Sequence, residues 1–164
     1  MMPDAFGQTD ALALAIVDWL NNTVGTLCVP FDAERRFRLI DELPEIPGPS
    51  DKASVDVFPD SEASERQGVS TAFQSNYAVH IFIQQKLTGA PDEDAQCALL
   101  TQLRSQIIEA LKLRMFNLTN AVHPVDRVFL HSIKSADKGL YNLARLLELH
   151  VYESDTLLIF KAAA

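Results

Sequence analysis

The clearest pattern of apolar and polar positions lies in a strand-like run that is followed by a long amphipathic stretch. Residues 77–86 alternate strictly, and from about Asp92 to Arg114 the apolar side chains recur at helical spacing. Two further strand-like runs follow, Asp126–Lys134 and Leu143–Glu153. This order predicts an α+β fold with a mostly antiparallel sheet of about four to five strands and one long helix packed on one face.

An N-terminal helix is also predicted, from Thr9 or Asp10 to about Asn22, with Gly25 as its C-terminal cap. Its apolar stripe (Leu12, Ile16, Trp19 and Leu20) has to be covered either by the domain's own sheet or by a neighbouring subunit.

Two segments before residue 60 are harder to interpret. Residues 32–35 are compatible with the start of a helical turn, but the alternation favours a strand over Arg35–Ile40. Three prolines then interrupt regular structure, and a short strand is predicted over Ser54–Pro59, with Pro59 at an edge or boundary.

Residues 60–76 are polar and predict a long loop or a projecting β-hairpin within a single domain of residues 1–164. A solvated connection is one interpretation. The other is a loop ordered by contact with a neighbouring subunit, because Val69 and Phe73 require burial that a loop alone does not provide. Candidate interface or luminal residues are therefore Asp60, Glu62, Glu65, Arg66, Val69 and Phe73.

Composition and charge exclude several classes of protein. The 164 residues carry a net charge of −8, which argues against coating DNA or binding an anionic membrane surface. The two cysteines, Cys28 and Cys97, do not form a disulfide framework or a zinc motif, and they are expected to be reduced thiols. We also expect no secretory signal and no membrane helix, so folding in the cytoplasm fits.

Candidate chemistry is sparse along the chain. The histidines, His80, His123, His131 and His150, lack metal-binding spacing, and the acids near residue 62 do not have the spacing of a calcium loop. No nucleophile elbow or phosphate-binding glycine loop is present. The basic triplet at residues 35–38 is too small to bind nucleic acid, so it is expected to pair with acids. These patterns predict a protein that is not an enzyme and needs no cofactor or metal.

Several segments, taken in their order along the chain, resemble those of a known protein family. The N-terminal helix leads to Phe31-Asp-Ala-Glu-Arg-Arg, then to Val55-Asp-Val-Phe-Pro, to Arg66-Gln-Gly and to the alternating strand ending at Lys86. Together with the long helix and the closing strands, this order resembles the small tail-terminator and tail-completion proteins of tailed bacteriophages. The run Thr156–Phe160 departs from that pattern, and it either adds an edge strand or packs on a neighbouring subunit.

The resemblance implies a structural virion protein of the tail or neck, assembled in the host cytoplasm. Its copies would form a ring, commonly a hexamer, that caps the tail tube and joins it to the head-side connector or stopper protein. DNA would pass through an acidic lumen without specific binding, and no membrane is involved.

Three other functions stay open at this point. The chain is compatible with another phage neck or tube component, with a bacterial adaptor or ligand-binding domain, and with a small enzyme. A native mass of about six copies favours the terminator, whereas a monomer or dimer favours the adaptor. An enzyme would need a pocket where titratable groups converge.

Overall fold

The computed structural model describes residues 6–37, 52–66, 73–87, 92–135 and 151–162, with residues 63–66, 73, 74 and 135 described through their backbone alone. These ranges form, in chain order, α1 (Gln8–Trp19), β1 (Phe31–Arg35), β2 (Ala53–Arg66), β3 (Phe73–Lys86), α2 (Glu93–Lys112), β4 (Met115–Leu118), β5 (Val125–Ser135) and β6 (Val151–Ala162). A π-helical turn, Leu20–Val24, extends α1 and ends at Gly25, whose φ of 69° suits glycine.

The described strands form one sheet in the order β1-β2-β3-β6-β5-β4. Only β1 and β2 run parallel, and every other neighbouring pair is antiparallel. The predicted α+β class with a mostly antiparallel sheet is therefore confirmed. The sheet has six strands rather than four to five, because β4 was not predicted from the sequence.

The hydrophobic core lies between the two helices and one face of the sheet. Residues Tyr77, Val79, Ile81 and Ile83 of β3 belong to it, as the alternation predicted. Three aromatic rings connect α1 to the sheet by edge-to-face contacts: Trp19 with Phe116 at 5.7 Å, and Phe116 with Phe160 at 6.3 Å. Phe160 is fully buried in β6.

Both predicted helices are present, and the domain's own sheet covers the stripe of α1. Leu12, Ile16 and Leu20 are completely buried within this one chain. Asp10 of α1 also bonds Arg35 of β1 at 2.7 Å between Oδ1 and Nη1. Neither helix in the described ranges combines the length and apolarity needed to cross a membrane.

The predicted strand over Arg35–Ile40 is wrong in its position. The strand is β1, Phe31–Arg35, and Ala33 is its buried residue. The alternating residue Phe37 suggested a strand, but it is 57% exposed and follows β1. Residues 38–40 lie outside the described residues.

The prediction that the next strand ends at Pro59 is also wrong. β2 continues to Arg66, and its pairing with β3 changes from Pro59↔Val79 to Glu62↔Tyr77. One extra residue on β2 is a bulge, which accommodates the missing N–H of proline without ending the strand.

The final strand was also predicted with the wrong end. β6 continues through Thr156–Phe160 to Ala162, and it lies between β3 and β5. The run is therefore part of a central strand and not an added edge strand. Residues 143–150 of the predicted strand lie outside the described residues.

Candidate functional site

The face of the sheet opposite the core carries a group of side-chain polar contacts. Arg104 of α2 bonds Thr156, whose neighbour on β3 is the core residue Ile81. The buried stripe of α1 belongs to the same core, so both helices lie on the core face. The alternate residues of β2, β3 and β6 face the other way. We call this surface the helix-free face, and its central residues are Asp56, Phe58, Ala78, His80, Phe82, Gln84, Glu153, Asp155, Leu157 and Ile159.

His80 forms the centre of this face, between two carboxylates. Its Nδ1 lies 3.0 Å from Asp155 Oδ1, and its Nε2 lies 3.2 Å from Asp60 Oδ2. The hydrogen bond with Asp155 is the largest cause that raises the pKa of His80, while burial opposes the rise and Asp60 adds to it. Both ring nitrogens are occupied, so the imidazole joins β2, β3 and β6 and has no nitrogen available to act as a general base.

Asp56 is the second buried charge on the helix-free face. Its carboxylate is 3.2 Å from Arg36 Nε and 3.3 Å from the hydroxyl of Ser54. Burial raises the pKa of Asp56, and Arg36 and the Ser54 hydrogen bond oppose the rise. Arg36 also pairs with Glu34, so this part of the basic triplet neutralises acids within the chain, as the sequence predicted.

Two of the six predicted interface or luminal residues have defined contacts within the chain. Asp60 binds His80, and Glu62 Oε1 accepts hydrogen bonds from Thr9 N at 2.9 Å and Thr9 Oγ1 at 3.1 Å. Glu62 therefore places a negative charge at the N-terminus of α1, where the first N–H groups have no partner within the helix.

The other four predicted residues are described partly or not at all. Glu65 and Arg66 end β2, where they pair with Gln74 and Phe73 of β3 through the backbone. Val69 lies outside the described residues. The interface or luminal role of the six stays a prediction.

Within the described ranges, no group of three or more His, Cys, Asp or Glu side chains is placed to hold a metal ion. Cys97 is only partly buried, and its pKa is raised by burial and then by Glu93 and Asp94, so the reactive thiolate is disfavoured.

The outer edge of β1 borders a groove of about 660 Å³. The π-helical turn forms one wall with Leu20 and Asn21, and β1 forms the other with Phe31–Glu34. Asn21 bonds both backbone groups of Ala33: Oδ1 accepts from Ala33 N at 3.0 Å, and Nδ2 donates to Ala33 O at 2.9 Å. The side chain amide therefore occupies the position that another strand would take.

Large apolar side chains are exposed around the opposite outer strand, β4. Leu113 is 91% exposed, Met115 is 55% exposed and Val122 is 57% exposed. We call Leu113 and Met115 the β4-end pair. Arg114 lies between them, and its guanidinium is 5.8 Å from the ring centre of Phe116. Periodicity did not identify this pair, because Leu113 was assigned to the predicted helix, which ends at Lys112, and Met115 lies in β4, which was not predicted.

Comparison with known proteins gives distant structural similarity and no match by sequence. No protein-family model matches the chain. No curated protein matches it either. A chain of the solved structure described as "Virion of native gene transfer agent (GTA) particle" is similar over 92% of this chain and 92% of its own length, at 16% identity and a TM-score of 0.42. A similarity of this degree assigns neither family nor function, so the resemblance to tail terminators stays a hypothesis.

Proposed function

We propose that this protein is a structural component of a phage-type virion, and that six copies form a ring that caps the head-proximal end of the tail tube and joins it to the head-side connector. The observation that carries the proposal is the surface at the two ends of the sheet. One end exposes the β4-end pair and the other borders the groove beside β1. A role without catalysis is consistent with an imidazole that is fully occupied by two carboxylates.

Contact between these two unlike surfaces gives a head-to-tail arrangement of copies. Such heterologous contacts close into a ring when the rotation between copies is a whole fraction of a turn. Leu113 and Met115 of one copy fill the groove beside β1 of the next. Asp32 and Glu34 also line the groove, where they pair with Lys52 and Arg36 of the same chain, and Arg114 accompanies the β4-end pair.

The strands β2 and β3 bring the remaining predicted interface residues to one end of the sheet. Their backbone pairing extends to Arg66↔Phe73, so residues 67–72 connect two paired strands. In the proposed ring this end contacts a neighbouring copy or faces the lumen, with Phe73 as an apolar anchor. Passage of DNA without specific binding is consistent with the net charge of −8.

Native mass measurement of the purified full chain tests the proposal. We expect a species of six copies for the wild type, and a monomer for the double variant Leu113→Ser/Met115→Ser. Leu99→Ser is the matched control, because Leu99 is a 45% exposed leucine on α2 that belongs neither to the β4-end pair nor to the lining of the groove. Since highly exposed residues contribute about 0.5 kcal/mol or less to folding, neither variant should unfold the monomer. A wild type that stays monomeric at every concentration contradicts the ring.

The segment 67–72 allows a second test of the same proposal. Replacing it with Asn-Gly keeps the Arg66↔Phe73 pairing and supplies the two-residue turn that suits a hairpin. A wider deletion of 62–74 is less informative, because it also removes Glu62, which holds Thr9 of α1. Loss of the ring with an unchanged melting temperature supports an interface role for the segment.

A ligand-binding adaptor is the second candidate function, and the groove beside β1 favours it. Its volume of about 660 Å³ lies within the usual range for small-molecule sites. The two functions differ in native mass: an adaptor stays a monomer or dimer and keeps the groove open to ligand.

A further inference from the structure

We propose that a depression on the helix-free face, between β3, β6 and β5, is a binding site for a phosphate-class oxyanion. It has a volume of about 300 Å³, and its polar lining residues are Ser61, Asn76, His131, Ser132, Lys134 and Lys161. Ala78 and Ile159 complete the lining. The site goes beyond the proposed function, because it is built within one copy and does not require the ring.

The register of the sheet brings the two lysines to the same depression. Lys161 of β6 pairs with Asn76 of β3 on one side and with Phe129 of β5 on the other. Lys134 is two residues beyond Ser132 on β5, so it lies on the same face of that strand. The lysines therefore come from adjacent strands of a continuous ladder, and a rigid sheet sets their relative position.

The charge of the depression is opposite to that of the whole chain. Acids outnumber Lys and Arg by 22 to 14, yet no described Asp or Glu lines it. Among the described residues Lys134 and Lys161 form no ion pair, whereas Arg35, Lys52 and Lys112 each bind a carboxylate.

The two acidic residues that flank Ser61 in the sequence form hydrogen bonds with other residues. Asp60 precedes Ser61, but its Oδ2 is 3.2 Å from Nε2 of His80. Glu62 follows Ser61, and its Oε1 accepts both hydrogen bonds from Thr9. These contacts keep both carboxylates engaged elsewhere, so neither neutralises the two lysines.

The remaining lining groups suit an anion with several oxygens. Serine hydroxyls and an imidazole N–H donate hydrogen bonds, and each ammonium supplies three donors. Asn76 also lines the depression, and its side-chain amide carries two N–H donors. A phosphate offers three or four acceptor oxygens to these donors, whereas a carboxylate offers only two.

Two kinds of ligand carry a phosphate group that these donors could bind. One is free phosphate, and the other is a phosphodiester of a nucleic-acid backbone. The site would bind a single backbone phosphate without distinguishing the base, because its polar lining groups are general hydrogen-bond donors to phosphate.

Titration of the ¹⁵N-labelled full chain with inorganic phosphate, followed by NMR, tests the site. We expect saturable shifts for Asn76 and Ser132, and binding at least tenfold weaker in Lys134→Ala/Lys161→Ala. Lys86→Ala is the matched control: Lys86 is on the same face of β3, but ten residues from Asn76, or about 33 Å along the strand. It should bind phosphate within twofold of the wild type. Chloride at equal ionic strength should cause no saturable shift.

A short single-stranded oligonucleotide distinguishes the two sources. If the ligand is a phosphodiester, the oligonucleotide displaces phosphate, and its affinity falls with salt at a logarithmic slope of about −0.7 per contacted phosphate. If the ligand is free phosphate, the oligonucleotide does not compete, and the site is still supported. Binding that is not saturable for either probe, or that is unchanged in the double lysine variant, overturns the inference. Native mass is recorded on the same samples, so saturable phosphate binding by a monomer supports the site even where the ring proposal fails.

Discussion

Asn21→Ala is the substitution that tests the edge of the sheet most directly. On either side of β1, Pro30 O and Arg36 N form hydrogen bonds with β2. Because backbone groups alternate in direction along a strand, the N–H and C=O of Ala33 point away from β2, toward the outer edge. Asn21 satisfies both of them. Alanine removes the amide and leaves the N–H and C=O of a buried strand residue for water or another chain to satisfy.

The expected cost follows from these two hydrogen bonds. Each contributes about 0.5–1.5 kcal/mol net, so the variant loses about 1–3 kcal/mol of unfolding free energy. Asn21 borders an open groove, and water can replace part of the loss, which favours the lower half of that range. For a chain of this size, about 1.5 kcal/mol lowers the melting temperature by about 3–6 °C.

Asn22→Ala is the control in the same turn. Asn22 Nδ2 donates to Asp18 Oδ1 at 2.7 Å on an exposed helical surface, and such a pair contributes only about 0.2–0.5 kcal/mol. Urea unfolding at one fixed protein concentration compares the two variants, since assembly would otherwise shift the apparent stability.

Asn21→Asp distinguishes the loss of the hydrogen bonds to Ala33 from the loss of side-chain volume. Aspartate keeps an acceptor for Ala33 N but places a carboxylate against Ala33 O, so it should be at least as destabilising as alanine. Size-exclusion chromatography should also show larger, polydisperse species for Asn21→Ala, because its edge is open to strand addition. Equal stabilities for the variants of Asn21 and Asn22 would refute the edge-satisfying role.

Three further outcomes are expected for single substitutions. Glu62→Ala should cost about 1–2 kcal/mol and speed hydrogen exchange at Thr9, because the first turn of α1 loses its acceptor. The folded-state pKa of His80 is raised, so its contribution to the free energy of unfolding is complete below about pH 6.5 and is lost as pH rises through the folded pKa. His80→Gln should therefore flatten the pH dependence of the unfolding free energy, measured in urea from pH 6 to 8. An unchanged pH dependence contradicts this. Arg127 has a φ of 55°, so Arg127→Gly should relieve backbone strain and raise the free energy of unfolding by up to about 1 kcal/mol. The melting temperature should rise with it, whereas Arg127→Ala should not raise it.

The parts of the fold predicted from the sequence are those in which one face is buried. The long helix and the run over 77–86 have strong periodicity because their apolar residues pack against the same core. The predicted range Asp126–Lys134 corresponds to β5, Val125–Ser135, for the same reason.

The errors occur where the two faces of a strand have similar polarity. β1 has the sequence Phe31-Asp-Ala-Glu-Arg, in which Ala33 is the only apolar residue between acids, so its burial against α1 depends on tertiary contacts. Phe37 and its neighbours offered a stronger alternation a few residues later. At Pro59, the missing N–H suggested a strand end, but a bulge depends on the partner strand and has no local signal.

The candidate site was predictable only in part. Polar residues near 60–66 suggested an interface, but the partners of Asp60 and Glu62 come from β3 and α1, which are distant in sequence. The convergence of Lys134 and Lys161 depends on β6 lying between β3 and β5. Strand order of this kind is not encoded in spacing, so the depression could not be found before the fold.

The two outer strands together restrict how copies of this chain can associate. Asn21 occupies the edge of β1 at Ala33, and beyond β4 the chain bonds Phe6 to Asn120 O and Val122 N. Strand-to-strand addition, which leads to open fibres, is therefore obstructed at the outer edge of β1. In the proposed ring, side chains such as the β4-end pair then supply the contact between copies. A side-chain contact fixes the angle between neighbours through shape, whereas strand addition repeats the sheet twist, and a fixed angle is the condition for a closed ring.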